Sequence, residues 1–129
     1  MSDWREIRER VRAFALGLPE AGEEFPWEES VIKVNKKVFV FLGVEEPTER
    51  WRPGFTVKLP ESAGHALAVP GAERAGYNLG RAGWVWLPFT GDLPDPEVLF
   101  DWVEESYRAV APKRLVKELD ARVGGPAAD

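Results

Sequence analysis

Apolar residues recur every three or four positions at the two ends of the chain, and this spacing predicts helices there. The first helix is predicted over residues 3–16, and Gly17-Leu18-Pro19 ends it. Near the other end, Asp95-Pro96-Glu97 combines a capping acid, a proline at the first helical position and an acid in the first turn. That helix is predicted to end before Pro112, and a final helix follows over residues 113–122.

Between these helices, apolar and polar residues alternate as they do in β-strands. The clearest segment is a hairpin with strands over residues 30–34 and 37–42. Its turn is Asn35-Lys36, since asparagine tolerates the left-handed conformation that tight turns require. The other predicted elements are a strand over residues 54–59, a short helix over 60–68, a strand that begins at Tyr77 and a strand over 84–89.

The last of these strands carries two of the six tryptophans. Trp84 and Trp86 fall on one face of it, and Val85 and Leu87 fall on the other, so both faces are expected to be covered. An exposed pair of indoles would suit the stacking of nucleic-acid bases. An aromatic core beneath a helix is the favoured interpretation.

Charge is unevenly distributed along the chain. The net charge is −5, from 17 basic and 22 acidic residues, which argues against a general affinity for nucleic acid or membrane surfaces. Residues 19–30 and 92–111 are acidic, whereas residues 31–42 hold three lysines and no acid. Residues 19–29 are predicted to be a solvated acidic connector, because their glutamates lack the spacing of a calcium-binding loop.

Length and composition exclude several classes of protein. A chain of 129 residues fits one domain, predicted over residues 1–123 with a disordered tail over 124–129. The absence of cysteine excludes disulfides, thiol catalysis and zinc–thiolate sites. No membrane span or secretory signal is predicted, so a cytoplasmic location is expected. His65 is the only histidine, and no nucleophile–base pair, metal-ligand spacing or phosphate-binding loop is evident, so neither an enzyme nor a cofactor is expected.

Short motifs follow one another along the chain in a characteristic order. They are Leu18-Pro19-Glu20, Phe25-Pro26-Trp27, Lys33-Val34-Asn35-Lys36-Lys37-Val38-Phe39, Val57-Lys58-Leu59-Pro60, Gly76-Tyr77-Asn78 with Trp84, Glu105-Ser106-Tyr107 and Ala111-Pro112-Lys113-Arg114-Leu115. None is specific alone. Their order and spacing resemble those of the MmcQ/YjbR family over residues 3–122.

The resemblance implies a frataxin-like (CyaY-like) fold. This is an α+β two-layer sandwich, in which a twisted antiparallel sheet of about five to six strands carries the N- and C-terminal helices on one face. Family members are often described as DNA-binding, from a double-wing-like arrangement of sheet and hairpins. The basic residues that the resemblance implies for such contacts are Lys33, Lys36, Lys37, Lys58 and Arg81.

One motif departs from the family. Many members have a run like Asn-Lys-Lys-His before the tryptophan, whereas the run here is Leu79-Gly80-Arg81-Ala82-Gly83 and keeps one base. Fewer cations release fewer counterions, so any affinity for phosphate should be weak. A cleft, if present, is expected between the Lys36 hairpin and the Tyr77–Arg81 turn.

The leading functional hypothesis is therefore a non-enzymatic domain that contacts DNA or RNA. The hairpin lysines have a second interpretation, because lysines on turns and edge strands also confer solubility. The alternative function is a protein- or small-ligand-binding module, in which the acidic surfaces at residues 19–30 and 92–111 meet a basic partner. Weak frataxin-like iron binding by the same acids is a remote option. A monomer is the default expectation.

Overall fold

The computed structural model describes residues 4–26, 29–43, 52–76 and 82–124. These residues form four helices and six strands. In chain order the elements are α1 (Trp4–Leu16), β1 (Gly22–Glu24), β2 (Ser30–Val34), β3 (Lys37–Gly43), β4 (Gly54–Lys58), α2 (Ala63–Leu67), β5 (Glu73–Arg74), β6 (Trp84–Pro88), α3 (Pro96–Val110) and α4 (Lys113–Gly124).

The strands form one antiparallel sheet in the order β1-β2-β3-β4-β6-β5. Helix α3 packs on β3 and β4, and α1 packs on α3 and contacts β2 and β3. The core between the layers includes Phe39, Val57 and Leu87 from the sheet and Val103 and Tyr107 from α3. The predicted α+β two-layer sandwich with helices on one face is confirmed.

The predicted hairpin is present with its predicted turn. Asn35 and Lys36 have φ angles of 50° and 67°, so both central residues are left-handed, as a type I′ turn requires. This turn matches the right-handed twist of its strands, and it joins β2 directly to β3.

Two short strands were not predicted, and one expectation about the acidic segment was wrong. The segment at residues 19–29, expected to be a solvated connector, contains β1, which pairs with β2. Strand β5 precedes the position where a strand was expected to begin. Neither strand has enough residues to show an apolar alternation, so only the pairing of its backbone with a neighbour defines it.

Several sequence predictions fall outside the described residues. They concern the start of the first helix at residue 3, the strand from Tyr77, and residues 125–129 of the predicted tail. The cap predicted at Asp95 is present at the start of α3, but its carboxylate makes no capping hydrogen bond. Its contribution to α3 is therefore its charge near the helix N-terminus.

Ser106 joins the helical layer to the sheet where two strands separate. Strands β3 and β4 pair only at Val40–Val57 and Phe41–Thr56, and a bulge in β3 lies just beyond. There the buried hydroxyl of Ser106 donates to the carbonyl of Phe39 at 2.6 Å and accepts from the amide of Lys58 at 2.8 Å. A side chain of α3 thus replaces the next step of the β3–β4 ladder.

Candidate functional site

The predicted lysines lie at one end of the sheet. Strand β2 runs toward the hairpin turn and β4 runs in the same direction, so Lys33, Lys36, Lys37 and Lys58 all come to this end. Lys33 and Lys58 lie on strands separated only by β3, which puts their backbones about 10 Å apart. We call these four residues the lysine end. Arg81, the fifth predicted residue, and the predicted cleft beside it lie outside the described residues.

Most of the lysine end is available to a ligand. Lys36 and Lys37 are exposed and Lys58 is half-buried, and within the described part of the chain none of the three has a carboxylate partner. Lys33 lies 3.2 Å from Glu24, whose side chain is 61% exposed. Such an exposed pair contributes at most about 1 kcal/mol, so a phosphate could replace Glu24 at low cost.

The sheet face opposite α1 and α3 carries aromatic rings. Val85 and Leu87 belong to the core, so the alternation of β6 turns Trp84 and Trp86 toward the other face. Phe41 pairs with Thr56, and Thr56 pairs with Trp86, so these side chains share that face. We call it the open face. The favoured interpretation of the indoles, an aromatic core beneath a helix, was wrong about the side of the sheet on which they lie.

The two indoles differ in their surroundings. Trp84 is buried and meets Phe41 edge-to-face, with ring centroids 5.5 Å apart. Trp86 is half-buried and occupies the space above Gly54, where a Cβ would lie 2.3 Å from the indole. The guanidinium of Arg52 lies over the Trp86 ring, 4.7 Å from its centroid, and pairs with Glu73 at 2.7 Å. Glycine at position 54 is what allows this ring to lie against the sheet.

A small pocket opens beside Trp86 on the open face, with a volume of about 90 Å³. We call it the Trp86 pocket. Sequence reasoning did not find it, because its walls come from four separated segments. The shared face of Trp84 and Trp86 was the only signal that pointed toward it. Its lining residues are Glu29, Ser30, Phe41, Gly43, Arg52, Gly54, Thr56 and Trp86.

Several carboxylates bond to groups on other parts of the fold. Glu20 pairs with Arg114 at 2.9 Å, and Glu23 pairs with Arg12 at 2.6 Å. In α3, Glu105 accepts hydrogen bonds from the amides of Glu61 and Ser62 and from the Ser62 hydroxyl. These carboxylates are less free to meet a basic partner than the sequence alone suggested.

Glu23 is largely enclosed. Its side chain is 11% exposed and accepts two hydrogen bonds from the Arg12 Nε, one from Arg12 Nη2 and one from the Ser30 hydroxyl. The hydrogen bonds from Arg12 lower the pKa of Glu23 below its ordinary value, against the opposing effect of burial. This cluster ties α1 to β1 and β2.

The described residues hold no group of three or more histidine, aspartate or glutamate side chains placed to bind a metal ion. His65 is exposed and meets the Trp102 ring edge-on, with ring centroids 5.9 Å apart. Among the described helices, none is long and apolar enough to cross a membrane.

The geometry thus defines a two-layer α+β domain with a basic end and an aromatic open face. The family model of YjbR matches residues 16–109, and the chain belongs to the YjbR family. The fold is similar to the crystal structure of a protein from Pseudomonas syringae, with a TM-score of 0.59 and 19% identity over 85% of this chain and 99% of that one. No curated protein matches the chain.

Proposed function

We propose that this protein is a non-enzymatic nucleic-acid-binding domain that contacts the phosphate backbone through its lysine end. The observation that carries the proposal is that four lysines, three on strands and one in the hairpin turn, come to one end of the sheet, and three of the four have no carboxylate partner among the described residues. Lysine ammonium groups bind phosphate as point charges and release counterions when they do so.

The charge pattern supports a local rather than a general attraction. The chain as a whole is negative, but acids such as Glu20 and Glu23 pair with arginines on the helical side. Acids also lie near the lysine end, since Glu24 pairs with Lys33 and Glu61 follows Lys58 by three residues. The attraction to phosphate is therefore confined to the lysine ammonium groups themselves, and salt screens it beyond about one Debye length, near 10 Å at 0.1 M. The expected affinity is weak because only four cations contribute.

The test is fluorescence anisotropy with labelled DNA and RNA over a series of salt concentrations. With four phosphate contacts, the logarithm of the association constant should fall with the logarithm of salt at a slope of about −3 to −4. The double substitution Lys36→Glu/Lys37→Glu should reduce that slope by about half and weaken binding.

The matched control is Lys113→Glu/Lys117→Glu on α4, which changes the net charge by the same amount at two exposed positions. It should retain most of the wild-type binding. No binding at low salt, or equal losses in the two variants, would contradict the proposal, and the second result would show that only net charge matters.

A further inference from the structure

We infer that the Trp86 pocket receives one unstacked nucleobase of a single-stranded nucleic acid whose phosphates lie along the lysine end. This inference rests on the proposed function and adds to it a class of ligand. It gives the open face a part in binding that is separate from charge.

The size of the pocket sets the size of its ligand. A closed apolar cavity of about 150 Å³ in another protein holds benzene. The Trp86 pocket, at about 90 Å³ and open to solvent, has room for part of one planar ring system. Cofactor and drug-sized ligands occupy sites of roughly 300–1,000 Å³, so this pocket is too small for them.

The walls of the pocket combine stacking surfaces with hydrogen-bonding groups. Phe41 and Trp86 supply aromatic rings, and Thr56 lies between their strands with a hydroxyl that can donate or accept. Glu29 is half-buried at the pocket and has a carboxylate that can accept from an amino or imino group of a base. A carboxylate would repel a phosphate, so the pocket suits the base and the lysine end suits the backbone.

Arg52 already occupies a stacking position on Trp86. Its guanidinium is planar, as a base is, and lies over the indole at 4.7 Å from the centroid. The Arg52 and Glu73 side chains are 65% and 61% exposed, so their ion pair holds this position only weakly. A base that enters can displace the guanidinium, and Arg52 can then exchange Glu73 for a phosphate of the same strand.

The distance from the pocket to the lysine end suits a single strand. Thr56 in the pocket and Lys58 at the lysine end lie two residues apart on the same face of β4, or about 7 Å. One nucleotide can span this distance. A base inside a duplex is stacked on both sides and paired, so it cannot enter the pocket without leaving the helix. The pocket therefore favours single strands.

The test compares a single-stranded DNA of mixed sequence with an abasic strand of equal length and equal phosphate number. Stacking of one base on aromatic side chains should make the intact strand bind about fivefold to a hundredfold more tightly. Trp86→Leu, which keeps an apolar side chain over Gly54, should bring the two affinities within about twofold of each other. Thr56→Ile, a milder change that fills the pocket and removes the hydroxyl, should also reduce the ratio.

The charge variant separates this inference from the proposed function. Lys36→Glu/Lys37→Glu should weaken both strands and leave the intact-to-abasic ratio unchanged. If the wild-type protein bound the intact and the abasic strands equally and in a salt-sensitive manner, the inference about the pocket would be overturned. The proposed role of the lysine end would remain. A ratio that persists in both folded pocket variants would also overturn it, and no binding of either strand would overturn both proposals.

Discussion

Ser106 is a helix residue that satisfies two backbone groups of the sheet. Ser106 has no exposed surface, and its hydrogen bond to the Phe39 carbonyl is buried, whereas its hydrogen bond from the Lys58 amide is half-buried. Buried backbone groups without partners cost more than a hydrogen bond contributes when it forms. The lysine end therefore depends on a serine of the opposite layer, because Lys58 is held in place through its own amide.

We expect Ser106→Ala to lower the free energy of unfolding by about 1–3 kcal/mol, since it leaves the buried Phe39 carbonyl and the half-buried Lys58 amide without their partner. Urea denaturation followed by circular dichroism measures the change. The control is Ser62→Ala, whose hydroxyl bonds to Glu105 at a half-buried position that water can reach, with an expected loss below about 1 kcal/mol. Equal losses in the two variants would contradict the bridging role of Ser106.

At the scale of elements, the sequence predicts the helices, strands and turns that are determined by residues close together in the chain. The hairpin follows from β-branched runs around Asn35-Lys36, and the start of α3 follows from Asp95-Pro96-Glu97, because turn and cap chemistry act over a few residues. The four lysines could be named from the sequence. The predicted hairpin also brings Lys33, Lys36 and Lys37 together, but the position of Lys58 beside them could not be predicted, since it depends on the sheet order.

Other features depend on residues distant in the chain. Strand β1 exists because it pairs with β2, and Ser106 contacts a carbonyl 67 positions earlier. The Trp86 pocket forms because Arg52 and Gly54 lie beside Trp86 of β6, and no local sequence pattern predicts this proximity. The acids of residues 19–29 were expected to be solvated because the local sequence does not show that Arg12, on another element, pairs with Glu23.

The link between α1 and β1 makes stability depend on pH. The pKa of Glu23 is lowered in the folded protein, so its contribution is present above the ordinary value of 4.5 and is lost as the pH falls through the folded pKa. We expect the free energy of unfolding to fall in acid less steeply for Glu23→Gln than for the wild type. At neutral pH the variant should be less stable by about 1–3 kcal/mol, because Arg12 keeps only the exposed Glu9 as a charged partner. Urea denaturation at pH 7 and across pH 3–5 tests both expectations, and identical acid profiles would contradict them.

At the scale of the molecule, α4 closes the chain onto the end of α1. Arg114 bonds to Glu20, and Arg122 donates to the carbonyl of Gly17. Leu115 and Leu119 are both buried in the common core. We therefore expect the last helix to unfold together with the rest of the sheet and helices.

We expect Leu115→Ala/Leu119→Ala to lower the free energy of unfolding by about 4–10 kcal/mol, a large part of the stability of the domain. Each buried leucine replaced by alanine costs about 2–5 kcal/mol, and the total stability of a domain is about 5–15 kcal/mol. Circular dichroism with urea denaturation measures the loss, and Lys117→Ala on the exposed side of α4 should change stability by less than about 0.5 kcal/mol. A cooperative transition near that of the wild type would show that α4 adds little to the core.

The order of the strands also bears on self-association. Strand β3 contains Val38-Phe39-Val40-Phe41-Leu42, an uncharged run of strand-forming residues of the kind that builds amyloid. It lies between β2 and β4, while the sheet ends in β1 and β5, which are three and two residues long and rich in charge. Short charged edges resist the addition of strands from other molecules. The native sheet therefore keeps its most aggregation-prone segment away from both edges, and a partial opening that released β2 would expose it.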